Sequence, residues 1–294
     1  MLFEVSHRTT YRYSTPAFES VAELRMAPLT NAHQRVDDFR LTIEPSAPIR
    51  TYRDFFGNRV DYFSLPFRHE QLEVVARATV ETRCAPNLEV LREVTVDEAR
   101  QIQRSQLNDY FPYLQRSAYV PTALVAEFGV PQFFVPGGSL TDAAWQACQW
   151  IYDNFTYAPG TTEVNTPLRE VFEKKVGVCQ DYAHLLLAIC RFHRIPCRYV
   201  SGYIEAFDPT VAADEPWRGA AATHAWVEVA LPGGVWWGLD PTNRQIVGER
   251  HIKTAVGRDY ADVAPMRGTF NGAPQHQLDV AVEVQRLTPQ PAQG

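Results

Sequence analysis

Lys175-Val176-Gly177-Val178-Cys179-Gln180-Asp181-Tyr182-Ala183-His184 runs without a break into an apolar segment that ends near Arg194. Within it Cys179, Ala183, Leu186, Leu187 and Cys190 recur at three- and four-residue steps, which predicts a helix turning one stripe inward from its first turn. Pro196 stops that helix. Cys179 therefore stands at a helix N-terminus, where free N–H groups and the positive end of the dipole favour the thiolate, the reactive form of cysteine. Gly177 lets the backbone come close to a ligand, and the Cys179 amide is placed to face a developing oxyanion. His184, five positions further on, lies about 140° around the helix and is not placed to serve as the base.

Working downstream, Cys197-Arg198-Tyr199-Val200-Ser201-Gly202-Tyr203-Ile204 reads as a strand. Two more follow, Thr223 to Ala230 and Val235 to Asp240, joined by Pro232-Gly233-Gly234 as a β-hairpin. His224 begins one arm and Asp240 ends the other. Paired strands lie about 5 Å apart, so if these positions register, the carboxylate can hold the imidazole. Nucleophile, base and orienting acid would then stand together, a set suited to acyl transfer.

Working upstream, Leu140, Ala144, Ala147, Cys148 and Ile151 recur at helical spacing between Ser139 and Asn154, with Ser139 or Thr141 as the N-cap. Residues 89–136 read as a connector, helix-permissive over Val96 to Asn108 and then broken by Pro112, Pro121, Pro131 and Pro136. Residues 1–88 read as short alternating strands, including Leu2 to Tyr13, Phe39 to Ile43 and Leu72 to Arg83, with a turn at Gly57-Asn58. Their spacing predicts an antiparallel β-sandwich. Its histidines, His7, His33 and His69, belong to no motif and take packing or surface roles.

The 294 residues suit about two domains, and 45% apolar with 21% charged residues allows a packed core rather than a disordered chain. A net charge of −6, with no basic stripe, disfavours nucleic acid as a partner. No stretch approaches eighteen consecutive apolar residues and residues 1–8 lack the order of a signal peptide, so the expectation is a cytoplasmic protein without a membrane span. Cys84, Cys148, Cys179, Cys190 and Cys197 are too sparse for a disulfide framework and lack zinc-ligand spacing. Cys148, Cys190 and Cys197 read as small core residues.

Gly177 to Ala183, Arg194 to Tyr203, His224 to Val229 and Trp237-Gly238-Leu239-Asp240-Pro241-Thr242 together resemble the core of the bacterial transglutaminase-like superfamily. The resemblance covers residues 139–245 and implies a papain-like α+β core in residues 137–294, with Cys179, His224 and Asp240 as its triad. Asp54-Phe55-Phe56-Gly57-Asn58 resembles the β-domain preceding this core in one bacterial subgroup, and Gly257 to Pro265 resembles the same subgroup. What this implies is thioester chemistry on peptide or protein substrates without an organic cofactor or catalytic metal, and a functional link to ATP-dependent amide ligases.

The expected reaction is hydrolysis by a peptidase or amidase. Transamidation to an amine uses the same triad, and a non-catalytic peptide-binding platform is the alternative outside the enzymes. Tyr157 and Gln180 are both candidates for the second oxyanion donor. Tyr182, Trp226, Trp236 and Trp237 either line an aromatic cleft or pack beneath the hairpin. Arg258, Asp259 and Asp262 either select charged substrate ends from a loop or are solvated surface charge. A last strand near Leu278 to Leu287 is expected to return to the core.

Overall fold

The computed structural model describes residues 1–83, 94–205, 217–219 and 222–287. Cys84, the boundary expected after residue 88 and the tail from 288 onward lie outside these residues. The chain opens with β1 (Leu2–Leu24), β2 (Gln34–Glu44), β3 (Arg50–Arg53), β4 (Arg59–Leu65) and β5 (His69–Thr82). Between them and the nucleophile loop come α1 (Val96–Ser105), α2 (Leu107–Leu114), α3 (Leu124–Glu127), α4 (Leu140–Asn154), β6 (Thr156–Tyr157), α5 (Leu168–Lys174) and β7 (Val176–Gly177). The remainder is α6 (Cys179–Phe192), β8 (Cys197–Ile204), β9 (His224–Leu231), β10 (Val235–Asp240), β11 (Gln245–Ile246), β12 (His251–Gly257), α7 (Tyr260–Val263), β13 (Met266–Asn271) and β14 (His276–Arg286). The antiparallel β domain and the helix-and-sheet core expected from the sequence are both present.

The β domain is organised by β1, whose register with β5 shifts between Arg12 and Ala17. Its first half pairs with β5 and β14, its second with β4 and β13, so one long strand serves both halves of an antiparallel half-barrel. Leu24 and Phe63 from one half pack with Leu72, Val74 and Ile43 from the other, the burial that alternating strands are patterned for. The strand expected near Leu278 forms, but it joins β1 rather than the core sheet. Backbone pairing along eleven residues of β1, Phe3 to Tyr13, supplies a partner that periodicity in the sequence does not name.

The core sheet has the order β11-β10-β9-β8-β12, all antiparallel, with α6 packed on one face. Every residue of α6 from Asp181 to Arg191 is buried, not one stripe alone. The sheet covers one side of α6 while α3, α4 and α5 cover the rest. Leu185, Leu186 and Leu187 are each fully buried, worth roughly 2 kcal/mol apiece in apolar transfer. Ser139 is the N-cap of α4, accepting from the Asp142 amide. No helix among the described residues is long and apolar enough to cross a membrane.

Two side-chain amides fasten the β domain to β12. Asn58, fully buried, accepts from the Val256 N–H at 2.8 Å and donates to the Val256 carbonyl at 2.7 Å. Gln34 does the same to Lys253, accepting from its N–H at 2.8 Å and donating to its carbonyl at 2.7 Å. An edge strand exposes such unpaired groups, and here glutamine and asparagine stand in for a missing strand. Phe3, Val5 and Val80 then pack against Tyr203 and Ile252 across the same junction.

Candidate active site

Cys179 is the first residue of α6, half-buried, with the amides of the first turn lacking intrahelical acceptors. The turn before it is held by Asp181, whose Oδ2 accepts from the Val178 N–H at 2.8 Å and from the Thr162 hydroxyl at 2.7 Å. Burial pushes the Asp181 carboxyl above its ordinary range. Gly177 is required here because a Cβ at that position would come within 2.8 Å of Asp181 Cβ and 2.9 Å of its Oδ2. The short parallel ladder of β6 on β7 sets Tyr157 beside Gly177. The Cys179 thiol points at the Thr223 carbonyl, a weak contact at 3.9 Å, and so lies at the start of β9 beside His224.

The register of β9 on β10 pairs Leu239 with Val227, so His224 and Asp240 are not directly opposite. They are diagonal neighbours on one face, still within side-chain reach. His224 Nε2 meets Asp240 Oδ2 at 2.8 Å, and both side chains are fully buried. The same Oδ2 accepts from Asn243 Nδ2 at 2.9 Å and meets His251 Nε2 at 3.4 Å, while Oδ1 accepts from the amides of Thr242 at 2.9 Å and Asn243 at 3.2 Å. Although burial opposes charge, these partners, led by His224, hold the Asp240 carboxyl well below the usual range, so it is ionised. Burial likewise disfavours the His224 imidazolium, but the Asp240 carboxylate and Cys179 together carry its pKa from 6.5 up to about 10. With Nε2 engaged, Nδ1 is the nitrogen left over, buried and without another partner among the described residues.

The two oxyanion candidates separate. Gln180 directs its amide N–H to the Val164 carbonyl at 2.9 Å and ties down the preceding loop. The Tyr157 hydroxyl instead lies at the site: a Cβ on Gly219 would meet it at 3.3 Å and His224 Nδ1 at 2.8 Å. Burial, then Cys179, raise the Tyr157 phenol far above its ordinary value, so it is a neutral donor.

Most of the cleft candidates are buried side chains. Tyr182 is fully buried in the main core and donates its hydroxyl to the Phe155 carbonyl at 2.8 Å. Trp226 is fully buried on the opposite face of β9 with Val200 and Val256, and Trp237 packs into the core with only 5% of its surface exposed. Trp236 is stacked under the Arg198 guanidinium, 4.1 Å from its ring centre. Tyr182 and Trp237 bury their large apolar surface in the core around α6, whereas Trp226 and Trp236 pack on the other face of the sheet. Arg258 pairs with Asp262 at 2.8 Å. Asp259, buried, caps α7 through the Ala261 amide and accepts from the Tyr119 amide, so it belongs to the scaffold.

Sequence reading missed three neighbours of the pair. Asn243 bonds Asp240 and also grips Arg218, accepting from its N–H at 2.8 Å and donating to its carbonyl at 3.2 Å. Gly219, at φ +84°, then sits against His224, a conformation and a clearance that glycine alone provides. His251 reaches Asp240 from β12. The Asp240-Pro241-Thr242-Asn243 turn carried a signal for Asn243, since Asx residues bond locally in turns; Gly219 and His251 carried none. Among the described residues no group of three or more His, Cys, Asp or Glu side chains is arranged to hold a metal ion.

Comparison with known proteins agrees with this architecture. Residues 3–81 match the family model described as bacterial transglutaminase-like N-terminal region, and residues 133–241 match that of the transglutaminase-like superfamily. An uncharacterized protein of Mycobacterium leprae is 35% identical over 285 residues, covering 96% of this chain and 98% of its own. An uncharacterized protein of Mycobacterium tuberculosis is 34% identical over 293 residues, covering 96% and 92%. The crystal structure of a protein named "Putative Cysteine Protease" from Cytophaga hutchinsonii superimposes with a TM-score of 0.71 at 25% identity, covering 98% of this chain and 93% of that one. The chain belongs to the transglutaminase-like superfamily and carries the bacterial transglutaminase-like N-terminal region ahead of its core.

Proposed function

We propose that this protein is a cysteine-dependent acyl-transfer enzyme that hydrolyses peptide or side-chain amides through a thioester on Cys179. The observation that carries the reading is the buried, ionised Asp240 holding His224 by Nε2, which leaves Nδ1 for a thiol at the start of α6. In this reading His224 takes the Cys179 proton and Sγ attacks the amide carbonyl carbon. The charge on the carbonyl oxygen is met by the Cys179 amide and the Tyr157 hydroxyl. As the C–N bond breaks, the leaving amine receives the proton from His224. Water then gives a proton to His224 and adds to the thioester, and Cys179 leaves with that proton as the acid is released. The name of the Cytophaga relative supports the same class of chemistry.

Two measurements test this. A neutral chloroacetamide should label Cys179 far faster than Cys148, Cys190 and Cys197, which are buried. Mass spectrometry of a peptide mixture incubated with enzyme should then detect amide cleavage that Cys179→Ala abolishes. Incorporation of a labelled primary amine in place of water would identify a transamidase instead. Slow labelling of Cys179, no faster than a free thiol, with no product of either kind, would leave a peptide-binding platform.

A further inference from the structure

His251 is the first residue of β12 and is 5% exposed, with its ring entirely enclosed. It borders a cavity between the two domains that is also lined by Trp226, Gln34 and Lys253, and its ring centre is 6.5 Å from that of His224. Its hydrogen bonds define its state. The Gly248 N–H donates to Nδ1 at 3.3 Å, so Nδ1 carries a lone pair and the proton of the neutral ring is on Nε2. That Nε2 faces Asp240 Oδ2 at 3.4 Å, the oxygen that also binds His224. The ring plane is fixed by Trp226, edge-on at 5.3 Å, and by Trp217 at 5.3 Å on another side.

Resting on the acyl-transfer reading above, we propose that His251 is a positioning residue: its Nε2–H donates to Asp240 and completes a His224–Asp240–His251 chain that aims the imidazole at Cys179. A carboxylate oxygen shared by three side-chain donors has its direction set by all of them, and the ring it carries inherits that direction. The charged and titratable groups facing His251 are Asp240 from β10, His224 from β9 and Arg250 beside it in the chain. Arg250 is in turn 3.6 Å from Glu205 and stacks on Trp217. Burial first, with His224 and Arg250 adding to it against the pull of Asp240, lowers the His251 pKa, and the ring donates through Nε2 while the Gly248 amide occupies Nδ1. The strand that carries it is the one whose backbone Gln34 and Asn58 bind, which connects the β domain to the alignment of the site.

The test compares His251→Phe, which keeps a ring without a donor, with His251→Gln, which restores an N–H at similar reach. The rate of Cys179 labelling by chloroacetamide is followed from pH 5 to 10 in the full chain, alongside thermal unfolding. His251→Phe should label about tenfold more slowly at neutral pH, the scale on which outer hydrogen-bond partners act, and its acid limb should move. His251→Gln should recover to within about threefold, with both variants unfolding at similar temperature. If His251→Phe does not fold, His251→Met takes its place in the comparison. Wild-type labelling that is fast and unchanged in the donor-free variant would overturn the proposal alone, as would a Gln variant no better than Phe. A wild-type Cys179 no more reactive than a free thiol would overturn the acyl-transfer reading and this proposal with it.

Discussion

At the scale of single residues, Asp240 concentrates the electrostatics of the site. A buried carboxylate is costly unless nearly every lone pair is met, and here two backbone amides, Asn243 and two imidazoles meet it. Asp240→Asn keeps the shape but turns an N–H toward other donors, so His224 loses its fixed tautomer. Steady-state assays on an amide substrate should show turnover falling by about 10³ to 10⁴. The same variant reports on pH. Because the His224 pKa is raised from 6.5 to about 10 by folding, the stability its imidazolium contributes is fully present below about 6.5 and lost as pH rises through about 10. Urea unfolding at pH 7 and pH 10 should show that alkaline loss in the wild type and little of it in Asp240→Asn.

At the scale of elements, the start of α6 depends on close contact between a glycine and a carboxylate. Asp181 can cap the Val178 amide only because nothing occupies the space beside Gly177. Gly177→Ala would drive a methyl into Asp181 and displace the first turn that carries Cys179. Overpacking of this kind costs about 1–3 kcal/mol, so the protein should still fold. Thiol labelling should slow by tenfold or more while urea unfolding registers only that modest loss, because a small displacement is far more damaging to reaction geometry than to packing. An unchanged labelling rate would show that the turn absorbs the methyl without moving Cys179.

At the scale of the whole molecule, the two domains are joined by backbone recognition as well as by apolar packing. Asn58→Leu would strip a buried N–H and a buried C=O of Val256 of their partners. Each such orphaned group costs about 1–3 kcal/mol, so chemical denaturation should show a loss of roughly 2–6 kcal/mol. Since β12 also bears His251, the same variant should label Cys179 more slowly than the wild type even under conditions where it is folded. Loss of stability without any change in labelling would confine Asn58 to holding the domains together.

Local pattern was enough for the elements nearest the chemistry. Helical spacing from Cys179 to Cys190, the stop at Pro196 and the Pro232-Gly233-Gly234 turn are short-range features, and α6, β8, β9 and β10 form where they indicate. The sequence also placed Cys179, His224 and Asp240 in three segments whose order has a recognisable likeness. Only the tertiary structure decided what surrounds them: that Trp226 and Tyr182 are packing, that Gln180 is turned away while Tyr157 faces the site, and that β14 returns to β1. Asn243, Gly219 and His251 likewise became neighbours of the pair only through folding. The physical reason is range: helix and turn signals arise among residues a few positions apart, whereas a burial partner or a shared carboxylate is set by strand register and by contacts between residues as distant as Asn58 and Val256.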